Sequence, residues 1–199
     1  WARERAFQST VLGAPVDVQG GGRDLRFPHH EMSTSHLRMI SGDARPVGAQ
    51  VHAGLLAYEG EKMSKSRGNL VLVSRLRAEG VEAMTIRLAL LAHRYSDSWE
   101  FHHAELADAA RRLATWRDAV GAAVGRDDRD AVELVEEVRT ALADDLDAPR
   151  ALAAVDAWAA SVLHGDGAGG RDADDAVADA PGGGALVRDA VDALLGVAL

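Results

Sequence analysis

Glu61-Lys62-Met63-Ser64-Lys65-Ser66-Arg67-Gly68-Asn69 contains both lysines of a 199-residue chain whose other basic side chains are all arginine. Two lysines three positions apart, with serines and a glycine among them, form a flexible cationic clamp. Lysine is a compact point charge on a long stem, able to follow phosphate oxygens as charge moves during a reaction. Ser64 and Ser66 add hydroxyl donors, and Gly68 lets the backbone turn. The plain alternative is a solvated surface turn with two lysines, but the length and composition of the string favour the clamp.

Immediately upstream, Glu59-Gly60 predicts a turn, and Gln50–Tyr58 before it a strand. Farther back, Val16-Asp17-Val18 predicts a short strand entering a glycine turn, Gly20-Gly21-Gly22. A helix is expected after Pro28, with Met32, His36, Met39 and Ile40 on its apolar side and Gly42 as its stop. Downstream, Leu70–Leu76 is mixed and Val81–Leu91 has helical spacing through Met84, Leu88 and Leu91. Short apolar runs alternating with helical patterns predict an α/β half over residues 1–97.

From Ser98 the pattern turns helical, which predicts an α-helical bundle over residues 98–199. Ala104–Val124 carries the stripe Leu106, Ala109, Leu113 and Trp116, and Ala131–Leu146 carries Val132, Val135, Val138 and Leu142. Asp147-Ala148-Pro149 is a helix start, with an N-cap aspartate and a first-turn proline, and the helix runs to Leu163. Residues 165–184 are mostly Gly, Asp and Ala, expected to form a mobile loop before a last amphipathic helix, Ala185–Leu199.

Hydrophobic residues are 47% and charged residues 27%, a globular composition. No apolar run is long enough to cross a bilayer and no secretory signal is visible, so a cytoplasmic protein without membrane contact is expected. The absence of cysteine agrees with that compartment and excludes thiolate chemistry within the chain. The first hundred residues carry 13 basic and 11 acidic side chains, the remainder 9 and 20. An acidic C-terminal half repels a phosphate backbone, so tRNA is not expected as a partner. The chain starts at Trp1 rather than Met, from which a missing upstream segment is expected.

The lysine loop resembles the second signature of class I aminoacyl-tRNA synthetases. Asp17-Val18-Gln19-Gly20-Gly21-Gly22-Arg23-Asp24-Leu25, Phe27-Pro28-His29-His30-Glu31 and Val51-His52-Ala53-Gly54 resemble the cysteine branch of that family. The likeness is close from Val16 to Leu91 and looser to Leu199. It implies the C-terminal part of a class I synthetase-type Rossmann nucleotide-binding domain followed by a helical bundle. Within the branch, three features resemble the mycothiol-pathway ligases more than cysteinyl-tRNA synthetase. Ser33 stands where the synthetase usually has a second glutamate, Gly68–Ser74 followed by Arg75-Leu76-Arg77 looks like the ligases' continuation, and the ending Asp192–Leu199 is similar to theirs. A truncated cysteinyl-tRNA synthetase and a non-catalytic remnant stay open as alternatives.

The resemblance implies an ATP-dependent ligation of L-cysteine to glucosaminyl-inositol through a cysteinyl-adenylate, by a protein expected to be monomeric. Lys62 and Lys65 would stabilise the charge that builds on pyrophosphate. Gly22, Arg23 and Asp24 would contact the adenylate, Asp24 accepting a ribose hydroxyl. Leu56 falls at an adenine-side position, Trp1 at a wall of the pocket, and Met63, Ser64 and Ser66 complete the ATP-binding loop. The family also holds Zn2+ through two cysteines and a histidine. His29 matches the histidine, but Arg5 stands where one cysteine belongs, and guanidinium is no zinc ligand. The segment Ala2–Leu12 fits the family poorly. The early ATP-binding signature is absent too, so the chain is expected to be inactive alone and to hold zinc below one equivalent.

Overall fold

The computed structural model describes residues 15–64, 66–124, 129–165 and 182–199. Trp1, Arg5, Lys65 and residues 166–181 of the glycine-rich loop therefore lie outside the described residues. Contacts sort the described chain into two units. One holds the residues up to Asn69 with Tyr95–Glu100; the other holds Leu70–Arg94 with the residues from Phe101 to Leu199. Leu70–Arg94, grouped by sequence pattern with the first half, belongs by its contacts with the later helices.

The first unit is built on a β-α-β crossover. Strand β1 (Val16–Gly22) pairs in parallel with β2 (Val47–Ala53), in register from Val16 opposite Val47 to Gly22 opposite Ala53. A parallel pair needs a crossover connection. Here it comprises a 3-10 turn, Arg23–Leu25, a wide π-type turn, Arg26–His30, and helix α1 (Glu31–Ser41). Gly42 closes α1 with a left-handed φ of 72°.

Two expectations change here. Gly20, Gly21 and Gly22 are not a turn: they are the last three residues of β1, opposite Val51, His52 and Ala53. Glycine has little intrinsic strand preference, but at Gly21 the missing side chain leaves room for the His30 ring, 2.6 Å from where a Cβ would stand. The apolar side expected for α1 is also wrong. The helix buries Ser33 and Leu37, one turn apart, while Met32, Met39 and Ile40 are exposed. Thr34, beside the buried pair, accepts a 2.9 Å hydrogen bond from Gln50 of β2. One large apolar side chain, Leu37, together with small and polar contacts thus marks the inward face of this helix.

The strand expected over Gln50–Tyr58 is interrupted at Gly54-Leu55, giving β2 and then β3 (Leu56–Tyr58). Gly54 donates its N–H to Tyr95 O at 2.7 Å, and a side chain there would strike the Asp97 carbonyl. β3 lies between β4 (Glu61–Lys62), antiparallel to it, and β5 (Trp99–Glu100), parallel to it. Glu59 and Gly60 link β3 to β4 with φ of 56° and 73°. Positive φ at both central residues is the two-residue hairpin turn whose twist suits the flanking strands.

The second unit is helical: α2 (Val73–Ala78), α3 (Ala83–Leu91), α4 (His103–Ala122), α5 (Arg129–Ala143), α6 (Ala148–His164) and α7 (Gly183–Leu195). The α4 stripe is as expected, with Leu106, Ala109, Leu113, Trp116 and also Ala119 buried. Asp147 caps α6 by accepting from Arg150 N at 3.2 Å, with Pro149 in the first turn. The stripe of α5 is shifted: Ala131, Leu134, Val138 and Ala141 are buried, and Val132 is exposed. Alanines at the contact allow close helix approach, which a scan for the largest side chains does not see. α5 also ends at Ala143, because Asp145 and Leu146 take positive φ.

Candidate functional site

The first unit brings together most of the residues singled out around the lysine loop. β1 ends at Gly22, so Arg23 and Asp24 begin the turn at the carboxyl end of a strand, where open α/β sheets bind ligands. Lys62, the last residue of β4, donates from Nζ to Asp24 Oδ2 at 2.6 Å. The two side chains are 53% and 46% exposed, so a ligand can reach the pair and water screens it. The hydrogen bond from Lys62 holds the Asp24 carboxyl below the usual carboxylate range. Arg23 points elsewhere, donating from Nη2 to Ser96 O at 2.6 Å.

Leu56 opens β3, and its carbonyl accepts from Met63 N at 3.2 Å. Beyond Lys62 the loop closes on itself. Ser64 N donates to Asn69 Oδ1 at 2.9 Å, and Asn69 Nδ2 donates to Lys62 O at 3.4 Å. The Ser64 and Ser66 hydroxyls are 3.3 Å apart. Arg67 and Glu61 form an ion pair across the loop, and Gly60 N donates to Glu100 Oε1 at 2.7 Å, steadying the hairpin tip. Sequence pattern singled out Lys62, Met63, Ser64 and Ser66. It missed Asn69, whose only signal was a turn-forming amide after glycine.

The second residue overlooked is His30. It is 3% exposed and shares a 2.9 Å hydrogen bond between its Nδ1 and His52 Nε2 of β2. The pair ties the wide turn to the sheet beside Gly21. His29, the zinc-ligand candidate, lies in the same turn and is half-buried. Among the described residues no three His, Cys, Asp or Glu side chains are grouped to hold a metal ion. The chain offers no thiolate, and its next histidine, His30, is committed to His52. One imidazole without sulfur ligands does not make the four-coordinate zinc site that cysteine and histidine build. The residues present do not fit zinc.

The arrangement therefore offers a lysine poised on an exposed carboxylate at a strand end, on a loop braced from several sides. Among the described residues, no helix is long and apolar enough to cross a membrane.

Residues 3–111 match the family described as tRNA synthetases class I (C) catalytic domain. The chain is 60% identical over 191 residues to a protein of Sanguibacter keddieii named L-cysteine:1D-myo-inositol 2-amino-2-deoxy-alpha-D-glucopyranoside ligase. It is 57% identical over 189 residues to a protein of the same name from Streptomyces avermitilis. Each match covers 94% of this chain and 42% of the relative, so the chain spans about two fifths of the length of these curated relatives. Among solved structures it resembles a LeuRS of Agrobacterium radiobacter, crystallised in a ternary complex with tRNA and LeuAMS. The TM-score is 0.57 at 18% identity, over 76% of this chain and 22% of that one, a likeness of fold.

Proposed function

Because the chain belongs to the class I (C) tRNA synthetase catalytic-domain family, we propose that it is the phosphate-side portion of an ATP-dependent cysteine ligase. The acceptor is the amine of glucosaminyl-inositol. The observation that carries the proposal is the 2.6 Å pairing of Lys62 with Asp24, which joins the lysine loop to the end of β1. The names of relatives up to 60% identical support the choice of substrates. On this proposal the rest of the nucleotide site comes from the length of those relatives that this chain does not span, and the ligase works in the cytoplasm as a monomer, without tRNA.

Two steps follow. A carboxylate oxygen of L-cysteine attacks the α-phosphorus of ATP, and the bond from that phosphorus to the bridging oxygen breaks. Cysteinyl-adenylate forms and pyrophosphate leaves with the bonding electrons. The amine nitrogen of the aminosugar then attacks the acyl carbon. The C–O bond to phosphate breaks, AMP departs and the nitrogen loses a proton to give the amide. Charge grows on pyrophosphate in the first step, and Lys62 and Lys65 neutralise it there. Asp24, freed from Lys62, accepts from the ribose. Gly22 brings backbone close to the adenylate, Arg23 contacts it once released from the Ser96 carbonyl, Leu56 lies on the adenine side, and Met63, Ser64 and Ser66 complete the ATP-binding loop. Trp1 is assigned to the pocket wall. His29 marks a zinc position that this chain does not complete, and no step depends on the ion.

The test supplies to this chain the portion of the Sanguibacter keddieii relative that the match does not cover and offers cysteine, ATP and either acceptor. The proposal expects amide formation on glucosaminyl-inositol, read by mass spectrometry, and no cysteinyl-tRNA. Transfer to tRNA in preference to the aminosugar contradicts it.

A further inference from the structure

Asn69 stands outside the set of residues assigned above, yet its side chain makes the contacts that shape the lysine loop. In an extended segment, the carbonyl of one residue and the N–H two residues later point to the same side. From Lys62 to Ser64 the chain is held on one side by β3, where Met63 N–H donates to the Leu56 carbonyl at 3.2 Å. The Lys62 carbonyl and Ser64 N–H face the other way. A primary amide presents one donor and one acceptor side by side, the pair that a neighbouring strand would offer. Asn69 uses both: Oδ1 accepts from Ser64 N at 2.9 Å, and Nδ2 donates to Lys62 O at 3.4 Å. Gly68 makes the return possible, since its φ of 70° is open to glycine at little cost.

We propose that Asn69 is a positioning residue: its amide stands in for an adjacent strand and fixes the backbone from which Lys62 reaches Asp24 and the pyrophosphate. The functional half of this rests on the pyrophosphate role proposed for the loop; the structural half does not. No other side chain of similar size fits. Aspartate keeps an acceptor for Ser64 N–H but cannot donate to the Lys62 carbonyl, and leucine has the shape with neither group. Lys62 and Ser64 also share a face of the extended segment, so the staple orients the ammonium and a hydroxyl together.

Two measurements on the full 199-residue chain test this. The first is hydrogen exchange of the Ser64 amide in the wild type, Asn69→Ala and Asn69→Asp. The amide is expected to exchange roughly tenfold faster in Asn69→Ala and close to the wild-type rate in Asn69→Asp. Equal exchange in all three overturns the staple, whatever any ligand does. The second is calorimetric titration with inorganic pyrophosphate, with Lys62→Ala as reference. Asn69→Ala is expected to bind pyrophosphate about three- to tenfold more weakly, the span one or two hydrogen bonds supply, with the thermal midpoint of the helical unit unchanged. Unchanged affinity with a freed Ser64 amide overturns the positioning role and leaves the pyrophosphate role standing. If the wild type and Lys62→Ala titrate alike, the pyrophosphate role fails, and the exchange result alone decides the staple.

Discussion

Gly21→Ala isolates the packing that sets the strand end. Gly21 lies in β1 opposite His52 with an extended backbone, so alanine meets no conformational barrier. By itself that change restricts the unfolded chain and favours folding by about 0.4–1 kcal/mol. Space reverses the sign. The new Cβ would stand 2.6 Å from His30 Cε1, 2.8 Å from its Nε2 and 3.2 Å from Leu25 Cδ1. His30 is buried and bonded to His52, so its ring has no free rotation away from the clash. Overpacking of a filled site costs about 1–3 kcal/mol, and losing the His30–His52 hydrogen bond adds roughly 0.5–1.5 kcal/mol. The net expectation is a destabilisation of about 0.5–4 kcal/mol, after the entropic gain is subtracted. Urea unfolding followed by far-UV circular dichroism measures it, with two comparisons. Gly20→Ala, which has nothing within 4 Å of the added carbon, is expected to be neutral or slightly stabilising. Adding Gly21→Ala to His30→Ala is expected to cost nothing further, giving a coupling of at least about 0.5 kcal/mol. Equal effects at Gly20 and Gly21, or strict additivity with His30→Ala, would refute the account of why β1 ends in glycine.

Three further outcomes are expected. Asp156 accepts from Trp116 Nε1 at 2.8 Å and from Arg112 Nε at 3.1 Å, and Trp116 is fully buried. Asp156→Ala strands the indole N–H and should cost about 1–3 kcal/mol in thermal unfolding. Trp116→Phe in that background should then be less harmful than in the wild type. Glu82 takes a bidentate bond from Arg117, which holds its carboxyl below the usual range. A depressed carboxylate stabilises the fold fully above its unfolded value near 4.5 and loses that contribution as pH falls through the lower folded value. Both side chains are at least 40% exposed, so the contribution stays within about 1 kcal/mol. Glu82→Gln should flatten the acid limb of a Tm-versus-pH curve by that amount, and an unchanged limb counts against it. Asp24→Asn should weaken binding of AMP while leaving inorganic pyrophosphate as tight or tighter, because Lys62 loses a competing partner. Parallel weakening of both would contradict the separate roles given to the two residues.

Where physics acts locally, the sequence was a good guide. The Gly42 stop, the capped start of α6 and the apolar periodicity of α4 each depend on residues within a few positions. Elements decided by tertiary contact were less legible. Gly20–Gly22 looks like a turn by propensity, yet it is strand because β2 supplies the ladder and His30 needs the space. On α1 most of the large apolar residues, Met32, Met39 and Ile40, face outward, and Ser33 with Leu37 face inward. On α5, Ala131, Leu134 and Ala141 join Val138 on the contact side, while Val132 faces outward. Asn69 escaped notice because one amide bridging two backbone groups has no periodic signature. The zinc position shows the opposite case, in which a motif residue, His29, persists while the chain offers no sulfur ligand to complete the set.

The most direct test of the central claim is cysteine-dependent ATP–pyrophosphate exchange, measured on this chain complemented with the portion of the Sanguibacter keddieii relative that it does not span. The account predicts exchange that requires L-cysteine. It also predicts a drop of about a hundredfold or more on Lys62→Ala or Lys65→Ala, the scale on which one preorganised charge donor acts in a transition state, with cysteine binding little changed. Exchange that survives both lysine substitutions would contradict it.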